Sequence, residues 1–148
     1  MNKNTHLGRG MKFPPQINPV TGRFVMSENE QSVKESIYLI LMTQKGERLM
    51  RPGFGSRTSG YVFSDTNLTM LHIMAYELEG DITRNEPRVQ DVEIQMDNST
   101  RPGCLLIHIR YTVSGSSTPE NMVFPFYLDR EAGEESTEYE TVADDPIR

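Results

Sequence analysis

The sequence is poor in the residues that most often build metal centres and disulfides. Its 148 residues include one cysteine, three histidines and no tryptophan. The single Cys104 excludes an internal disulfide and is consistent with a reducing cytoplasm. His6, His72 and His108 are far apart in the sequence, and no group of cysteines and histidines has metal-ligand spacing. We therefore predict no metal site.

Long apolar runs and catalytic motifs are missing as well. No run of 18 apolar residues occurs, and the N-terminal MNKNTHLGRG has no apolar core, so neither a membrane span nor a signal peptide is predicted. The Gly8-x-Gly10 pattern is followed by two prolines rather than Gly-Lys-Ser/Thr, which excludes a phosphate loop. No Gly-x-Ser-x-Gly elbow is present, and 8% aromatic residues without tryptophan are few for a sugar-binding groove. We predict no cofactor.

Negative charge is concentrated at the C-terminal end. Residues 129–148 contain eight acidic and two basic residues, which leaves 13 of the 21 acids and 13 of the 15 bases in the rest of the chain. Because this tail has no apolar periodicity, we expect it to be disordered. It is either a solvated segment or an arm that docks on a basic partner. The absence of a basic surplus argues against nucleic acid as a ligand.

The first strong pattern is an amphipathic helix. Ser27 and Glu30 have the spacing of a capping box, which predicts the helix start. Gly46, next to Lys45, predicts its end. Between them, apolar residues recur at helical spacing and predict a core-facing stripe: Val33, Ile37, Ile40 and Leu41.

The segment after this helix combines arginines with apolar residues. Arg48 and Arg51 flank Leu49 and Met50, and a Pro-Gly-Phe-Gly turn places Phe54 at its tip. One interpretation is a short strand with Leu49 inward and the arginines in solvent. The other is a docking surface for a protein partner, because arginine and aromatic residues are enriched at interface centres.

A second amphipathic helix is predicted from about Asp65 to Thr83. Ser64 is its expected N-cap, with Phe63 and Leu68 as a hydrophobic staple, and Pro87 prevents continuation. Its apolar stripe comprises Leu68, Leu71, Ala75, Leu78 and Ile82.

The remaining sequence changes to a period of two. Three alternating rows predict antiparallel strands, with inward residues Val92, Ile94 and Met96, then Leu105, Ile107, Ile109, Tyr111 and Val113, then Met122, Phe124, Phe126 and Leu128. This predicts an α+β fold of two amphipathic helices packed on a small, mainly antiparallel, three- to four-stranded sheet. Pro125 places the last strand at an edge, where a strand from another chain can be added.

Three regions follow from these patterns. Residues 1–26 are predicted to be an extended arm whose Phe13 anchors on the body or on a neighbour. Residues 27–128 form a single α+β domain, and residues 129–148 form the acidic tail.

Several motifs together resemble a known family. The stretches GRGMKFP, SVKESIYLILMTQKGERLMRPGFGS, VFSDTN and NEPRV are similar to the baseplate wedge and sheath-initiator proteins of contractile phage tails, including the phage tail W-protein and lysozyme-like baseplate proteins. Type VI secretion systems and extracellular contractile injection particles carry similar proteins. The resemblance covers about residues 7 to 128, and Glu86, Pro87 and Arg88 match the family's hallmark triplet.

The resemblance implies a structural protein rather than an enzyme. It implies assembly in the bacterial cytoplasm into the baseplate of a tail or injection particle, with six copies per particle. Expected neighbours are wedge proteins, the first sheath ring through strand addition, and the inner tube or hub. The expected partner-binding residues are Glu86, Pro87, Arg88, Arg48, Arg51, Phe54, Phe124, Pro125 and Phe126.

Two alternatives stay open. Arg88 is expected to grip a carboxylate of the wedge with Glu86 orienting it, or instead to form an internal salt bridge with Glu86 that closes the helix end. The rival function is a peptidoglycan-degrading, lysozyme-like baseplate enzyme.

Overall fold

The fold combines two helices with two antiparallel sheets, as predicted for an α+β protein. The computed structural model describes residues 5–61, 67–100 and 103–127. After a 3-10 turn at Thr5–Leu7, the elements are β1 Arg9–Met11, β2 Met26–Glu28, α1 Asn29–Met42, a second 3-10 turn at Thr58–Tyr61, α2 Leu68–Asn85, β3 Val89–Asp97, β4 Cys104–Val113 and β5 Pro119–Tyr127.

The main sheet is a three-stranded meander in the order β3-β4-β5. Ile107 of β4 pairs with Phe124 of β5, and Ile109 pairs with Ile94 of β3, so the predicted inward rows share one face. The central row is the best buried: Leu105, Ile107, Ile109, Tyr111 and Val113. The predicted meander is therefore confirmed. A separate two-stranded sheet pairs β1 with β2.

Both helices bury their apolar stripes against this sheet face. The stripe of α1 is buried as predicted, with Val33, Ile37 and Ile40 at 0% exposure. The stripe of α2 contributes Leu71, Met74, Leu78 and Ile82 to the same core.

The predicted capping box at the start of α1 is wrong. Ser27 belongs to β2, where it pairs with Gly10, and the helix begins at Asn29 with Glu28 as a cap residue that makes no side-chain hydrogen bond. The hydroxyl of Ser27 is buried without a hydrogen-bond partner among the described residues. Strand pairing has overridden the local capping signal.

The end of α1 also lies earlier than predicted. Thr43 ends the helix, and Gly46 adopts its positive φ of 88° in the following loop. The segment that follows is not a strand with an inward Leu49, because Leu49 is 96% exposed and Met50 is 94% exposed. An isolated bridge from Gln44 to Ser56 closes this segment as a loop instead.

Helix α2 is capped by Asn67, whose side chain accepts a hydrogen bond from Met70 N at 2.9 Å. Leu68 is the first residue of the helix and is 76% exposed, so the predictions that it lies four residues into the helix and in the apolar stripe are wrong. Phe63 and Ser64 lie outside the described residues.

The N-terminal segment is tied to the body. Leu7 is a core residue at 2% exposure. The Phe13 ring lies 5.8 Å from that of Tyr38 on α1, so this aromatic anchors on its own chain. The predicted boundary at residue 26 therefore separates Leu7 from a core to which it contributes.

The acidic tail, including Leu128 of the predicted third row, lies outside the described residues. No helix among the described residues is both long and apolar enough to cross a bilayer.

Candidate functional site

The Glu86-Pro87-Arg88 corner lies between the end of α2 and the start of β3. Arg88 donates from Nε to Glu86 Oε1 at 2.7 Å and from Nη2 to Oε2 at 2.6 Å, a bidentate pair. The Glu86 side chain is 3% exposed and the Arg88 side chain is 29% exposed. Arg88 Nη1 also donates to the carbonyl of Leu7 at 2.8 Å. The arginine thus joins the N-terminal segment to the end of α2.

This pairing decides how the corner is charged. Burial alone raises the pKa of Glu86, but hydrogen bonds from Arg88 and Ser36 and the charge of Arg88 together hold that pKa below its ordinary value of 4.5. The structure therefore contains the internal salt bridge that the sequence left open as one of two alternatives for Arg88. Pro87 is the exposed member of the triplet.

The loop Gln44–Ser56, which we call the arginine loop, is closed tightly at its base. Ser56 N donates to the Thr43 carbonyl at 2.9 Å, Lys45 N donates to the Ser56 carbonyl at 3.1 Å, and Ser56 Oγ donates to the Leu41 carbonyl at 3.2 Å. Gly55 has a φ of 108°, and a Cβ there would lie 2.3 Å from the Thr43 oxygen. Only glycine fits this closure.

The same loop displays the predicted arginines around one aromatic ring. The guanidinium carbons of Arg48 and Arg51 lie 4.8 and 5.4 Å from the ring centroid of Phe54. Phe54 itself packs on the core, whereas Leu49 and Met50 between the arginines are exposed. The structure brings these three predicted site residues together, and stacking on the ring holds both cations beside an apolar tip.

A buried carboxylate fixes the loop to α2. Asp81, with a side chain 4% exposed, forms an ion pair with Lys45 and lies 3.8 Å from Arg84 Nη1. No local motif predicts this pair, although Asp81 precedes Ile82 on the buried stripe, where a buried acid indicates a partner.

The two edges of the main sheet differ. The β3 edge is interrupted by a bulge between Gln90 and Glu93, and the Ile94 N–H donates to Glu79 Oε1 at 3.1 Å. Both features obstruct strand addition. No described strand lies beside the outer side of β5. Pro125 is in this edge strand, as the sequence indicated.

The predicted aromatic residues of β5 face inward. Phe124 is 5% exposed in the core, and Phe126 packs against the core from the side. Their side chains therefore contribute to the core, whereas the side chains of Val123 and Pro125 are on the exposed face of β5.

The described residues contain no group of three or more His, Cys, Asp and Glu side chains that could hold a metal ion. The carboxylates that line a surface depression beside Lys45 and Arg57 are engaged. Glu79 accepts from Ile94 N, Asp81 pairs with Lys45, and Glu77 also has an interaction partner.

Residues 27–118 match the family model of the baseplate wedge protein gp25. The chain belongs to this family. The match includes α1, the arginine loop, α2, the Glu-Pro-Arg corner and strands β3 and β4. It follows that this gp25-family protein is a baseplate component of a contractile injection system, which confirms the family resemblance of its motifs.

Two solved structures are similar to this gp25-family chain. A Geobacter sulfurreducens protein provisionally assigned as a tail lysozyme is 38% identical over 72% of this chain and 97% of its own, with a TM-score of 0.65. A chain of the anti-feeding prophage baseplate, from a 6-fold symmetrised cryo-EM structure, is 25% identical over 84% of this chain and 89% of its own, with a TM-score of 0.57. No curated protein sequence matches significantly.

Proposed function

We propose that this baseplate protein initiates the sheath by accepting a β-strand from a first-ring sheath subunit along the outer side of β5. The observation that carries the proposal is the contrast between the two sheet edges. The Glu79 hydrogen bond and the bulge obstruct β3, whereas β5 ends the meander with no described neighbour. Strand addition satisfies backbone groups without a deep pocket and transmits tension through a ladder of hydrogen bonds.

Pro125 already removes one outward donor from this edge, and a second can be removed without breaking the sheet. Pairing of β4 with β5 continues through Pro125, although proline has no N–H to donate to β4. The backbone N–H groups therefore point away from β4 at every second residue counted from Pro125. Val123 is two positions before Pro125, so its N–H also points away from β4. Val123→Pro should therefore remove an outward donor and spare the internal ladder.

The matched control is Val123→Thr, which changes the side chain and keeps the N–H. We expect Val123→Pro baseplates to assemble without recruiting sheath, as seen by negative-stain microscopy, and Val123→Thr baseplates to carry sheath. Folded Val123→Pro protein that recruits sheath normally would contradict strand addition at β5.

The arginine loop is the surface we propose for the neighbouring wedge proteins or the inner tube or hub. Its tip offers Leu49 and Met50 as apolar anchors, with Arg48 and Arg51 held beside them on Phe54. Apolar anchors next to cations suit a partner surface with an apolar pocket and an acidic rim. Pro87 at the Glu-Pro-Arg corner is a further exposed contact. Six copies per particle, assembled in the cytoplasm, would match the 6-fold baseplate of the anti-feeding prophage relative.

Leu49→Ser with Met50→Ser tests this assignment. Both side chains are exposed, so the variant should unfold at the same temperature as the wild type while its incorporation into baseplates falls. The control is Leu68→Ser with Tyr76→Ser, which removes exposed apolar surface from α2 instead. Equal incorporation of both variants would show that the arginine loop is not part of the interface.

The second candidate function is a peptidoglycan-degrading enzyme, favoured by the name given to the Geobacter relative. A glycosidase acid needs a raised pKa, whereas the pKa of the buried Glu86 is lowered. A turbidity assay on purified cell walls decides the matter. Clearing that is lost on changing one carboxylate, for instance Glu77→Gln, would establish the enzyme, and no clearing by folded protein would favour the structural role.

A further inference from the structure

The segment from Arg9 to Glu28, which we call the N-terminal hairpin, extends well beyond its two short strands. Above the β1–β2 pairing, Lys12 N donates to the Val25 carbonyl at 3.0 Å and Ile17 bridges to Phe24. The turn at the far end is ordered by Asn18, whose N–H donates to the Arg23 carbonyl at 2.8 Å. The two sides of the hairpin thus stay hydrogen-bonded beyond Phe13, although residues 12–16 are not in a strand.

One face of this ribbon is apolar and open. Met11 pairs with Met26 and Ile17 pairs with Phe24, and Met26 and Phe24 are two residues apart and so share a face. Met11 is 53% exposed, Met26 43%, Ile17 63% and Phe24 56%. Val20 at the tip of the hairpin is 91% exposed. A two-stranded ribbon is marginally stable in water, so a ribbon that displays its apolar row needs a covering segment.

The charged residues of the hairpin indicate which kind of segment could cover its apolar row. Arg9 pairs with Glu28 at 2.7 Å, but Lys12 and Arg23 have no carboxylate within ion-pair distance among the residues described. A segment that is both acidic and apolar would therefore complement the hairpin, with its apolar residues on the exposed row and its acids beside the row.

Ring contacts also place the base of the hairpin close to β5. His6 Nε2 donates to the Ser114 carbonyl at 2.8 Å, and the ring of Tyr38 lies 5.8 Å from Phe13 and 5.6 Å from Phe124. The base of the hairpin at Phe13 is therefore joined to Phe124 of β5 through the ring of Tyr38. The last described residue, Tyr127, is three positions after Phe124, so the chain leaves β5 within reach of the base of the hairpin.

We propose that residues 128–148 dock on the apolar face of the N-terminal hairpin of the same chain. This tail has eight acids for Lys12 and Arg23, and four larger apolar residues for the exposed row: Leu128, Tyr139, Val142 and Ile147. Its 21 residues span up to about 70 Å when extended, ample for a hairpin whose base is close by. The tether gives an effective concentration on the order of mM, so weak contacts suffice.

The docking lies outside the shared domain. Neither the tail nor residues 9–26 of the hairpin is within the 27–118 match to the gp25 family, and the β5 edge is not used. Failure of strand addition would therefore leave this proposal untouched, and the reverse also holds.

Paramagnetic broadening in NMR tests the contact in the full chain. A nitroxide on Thr21→Cys marks the hairpin tip, and Cys104 is buried and so protected from labelling. We expect the amide signals of residues 128–148 to lose intensity, and to recover it in Ile17→Ser with Phe24→Ser. Recovery in high salt should accompany this, because exposed charge pairs are screened.

The control is Leu49→Ser with Met50→Ser, which removes exposed apolar residues elsewhere and should leave the broadening in place. Broadening that persists in the hairpin variant would reflect the tether alone and overturn the proposal. Mixing nitroxide-labelled unenriched chains with unlabelled 15N chains is the last check, because broadening there would assign the contact to a second copy instead.

Discussion

At the scale of single residues, the Glu86–Arg88 pair determines how the end of α2 is joined to the N-terminal segment. The arginine uses Nε and Nη2 on Glu86 and Nη1 on the Leu7 carbonyl, so one side chain links three parts of the chain. Removing one member of such a pair leaves a buried charge without compensation, which costs more than the pair itself contributes.

Arg88→Ala should therefore destabilise the fold by about 3 kcal/mol, because Glu86 stays buried. Urea denaturation measures this loss. Arg84→Ala is the control, since Arg84 is 69% exposed and 3.8 Å from Asp81, and its loss should be below about 0.5 kcal/mol. An equal, small effect of both changes would show that the corner does not hold the fold.

The lowered pKa of Glu86 predicts an acid-dependent loss of stability. A folded-state pKa below 4.5 means that the contribution is complete above the unfolded pKa and is lost as pH falls through the folded value. Asp97 acts in the same direction, because hydrogen bonds from Ser99 and Thr100 lower its pKa. Unfolding curves at neutral and acidic pH compare Asp97→Asn with and without Glu86→Gln. The free energy of unfolding should depend less on pH in the variant that carries Glu86→Gln.

Ser27 gives a prediction opposite to that of a helix cap. Loss of an N-cap serine costs about 1 kcal/mol, but the Ser27 hydroxyl is buried without a partner. Ser27→Ala should leave stability unchanged or raise it by up to about 1 kcal/mol in thermal unfolding. A clear loss would mean that the hydroxyl has a role in the helix start after all.

At the scale of elements, the arginine loop depends on the backbone closure at Gly55. A Cβ at this position would meet the Thr43 oxygen at 2.3 Å with φ at 108°, so Gly55→Ala should cost about 2 kcal/mol or more. Gly53→Ala has open space around its Cβ and should cost far less. Thermal melts compare the two, and similar melting temperatures would contradict the strained closure.

The strands show why edges differ within one sheet. Both β3 and β5 end the meander, yet the bulge at Gln90 and the reach of Glu79 belong to β3 alone. A long acidic side chain from α2 supplies part of the obstruction, so the packing of helix on sheet protects β3 and leaves the described edge of β5 uncovered.

At the scale of the whole molecule, the first described residues and the C-terminal sheet belong to one core. Leu7 is buried with Val33 of α1 and Val113 of β4. Leu7→Ala should therefore cost about 3 kcal/mol, as for a core leucine, whereas Leu49→Ala should cost almost nothing. Both variants should unfold in a single transition, with only Leu7→Ala less stable than the wild type. A negligible effect of Leu7→Ala would show that the N-terminal segment is a separate arm.

The sequence by itself determined the α+β class, the buried stripe of α1, most of the stripe of α2, the three antiparallel strands and the edge position of Pro125. These features rest on periodicity and on the missing proline N–H, which are local properties. It also identified Arg48, Arg51 and Phe54 as one group, because they share a short loop.

The tertiary structure alone decided the rest, because distant residues compete with local signals. Pairing with Gly10 turned Ser27 from a predicted cap into a strand residue. The buried Glu86 took the bidentate grip of Arg88 that the sequence left open between a partner and its own chain. The Glu79 side chain protects the β3 edge, and Phe124 of β5 is buried in the core. Each outcome depends on which groups the fold brings within contact distance, and no local pattern records that.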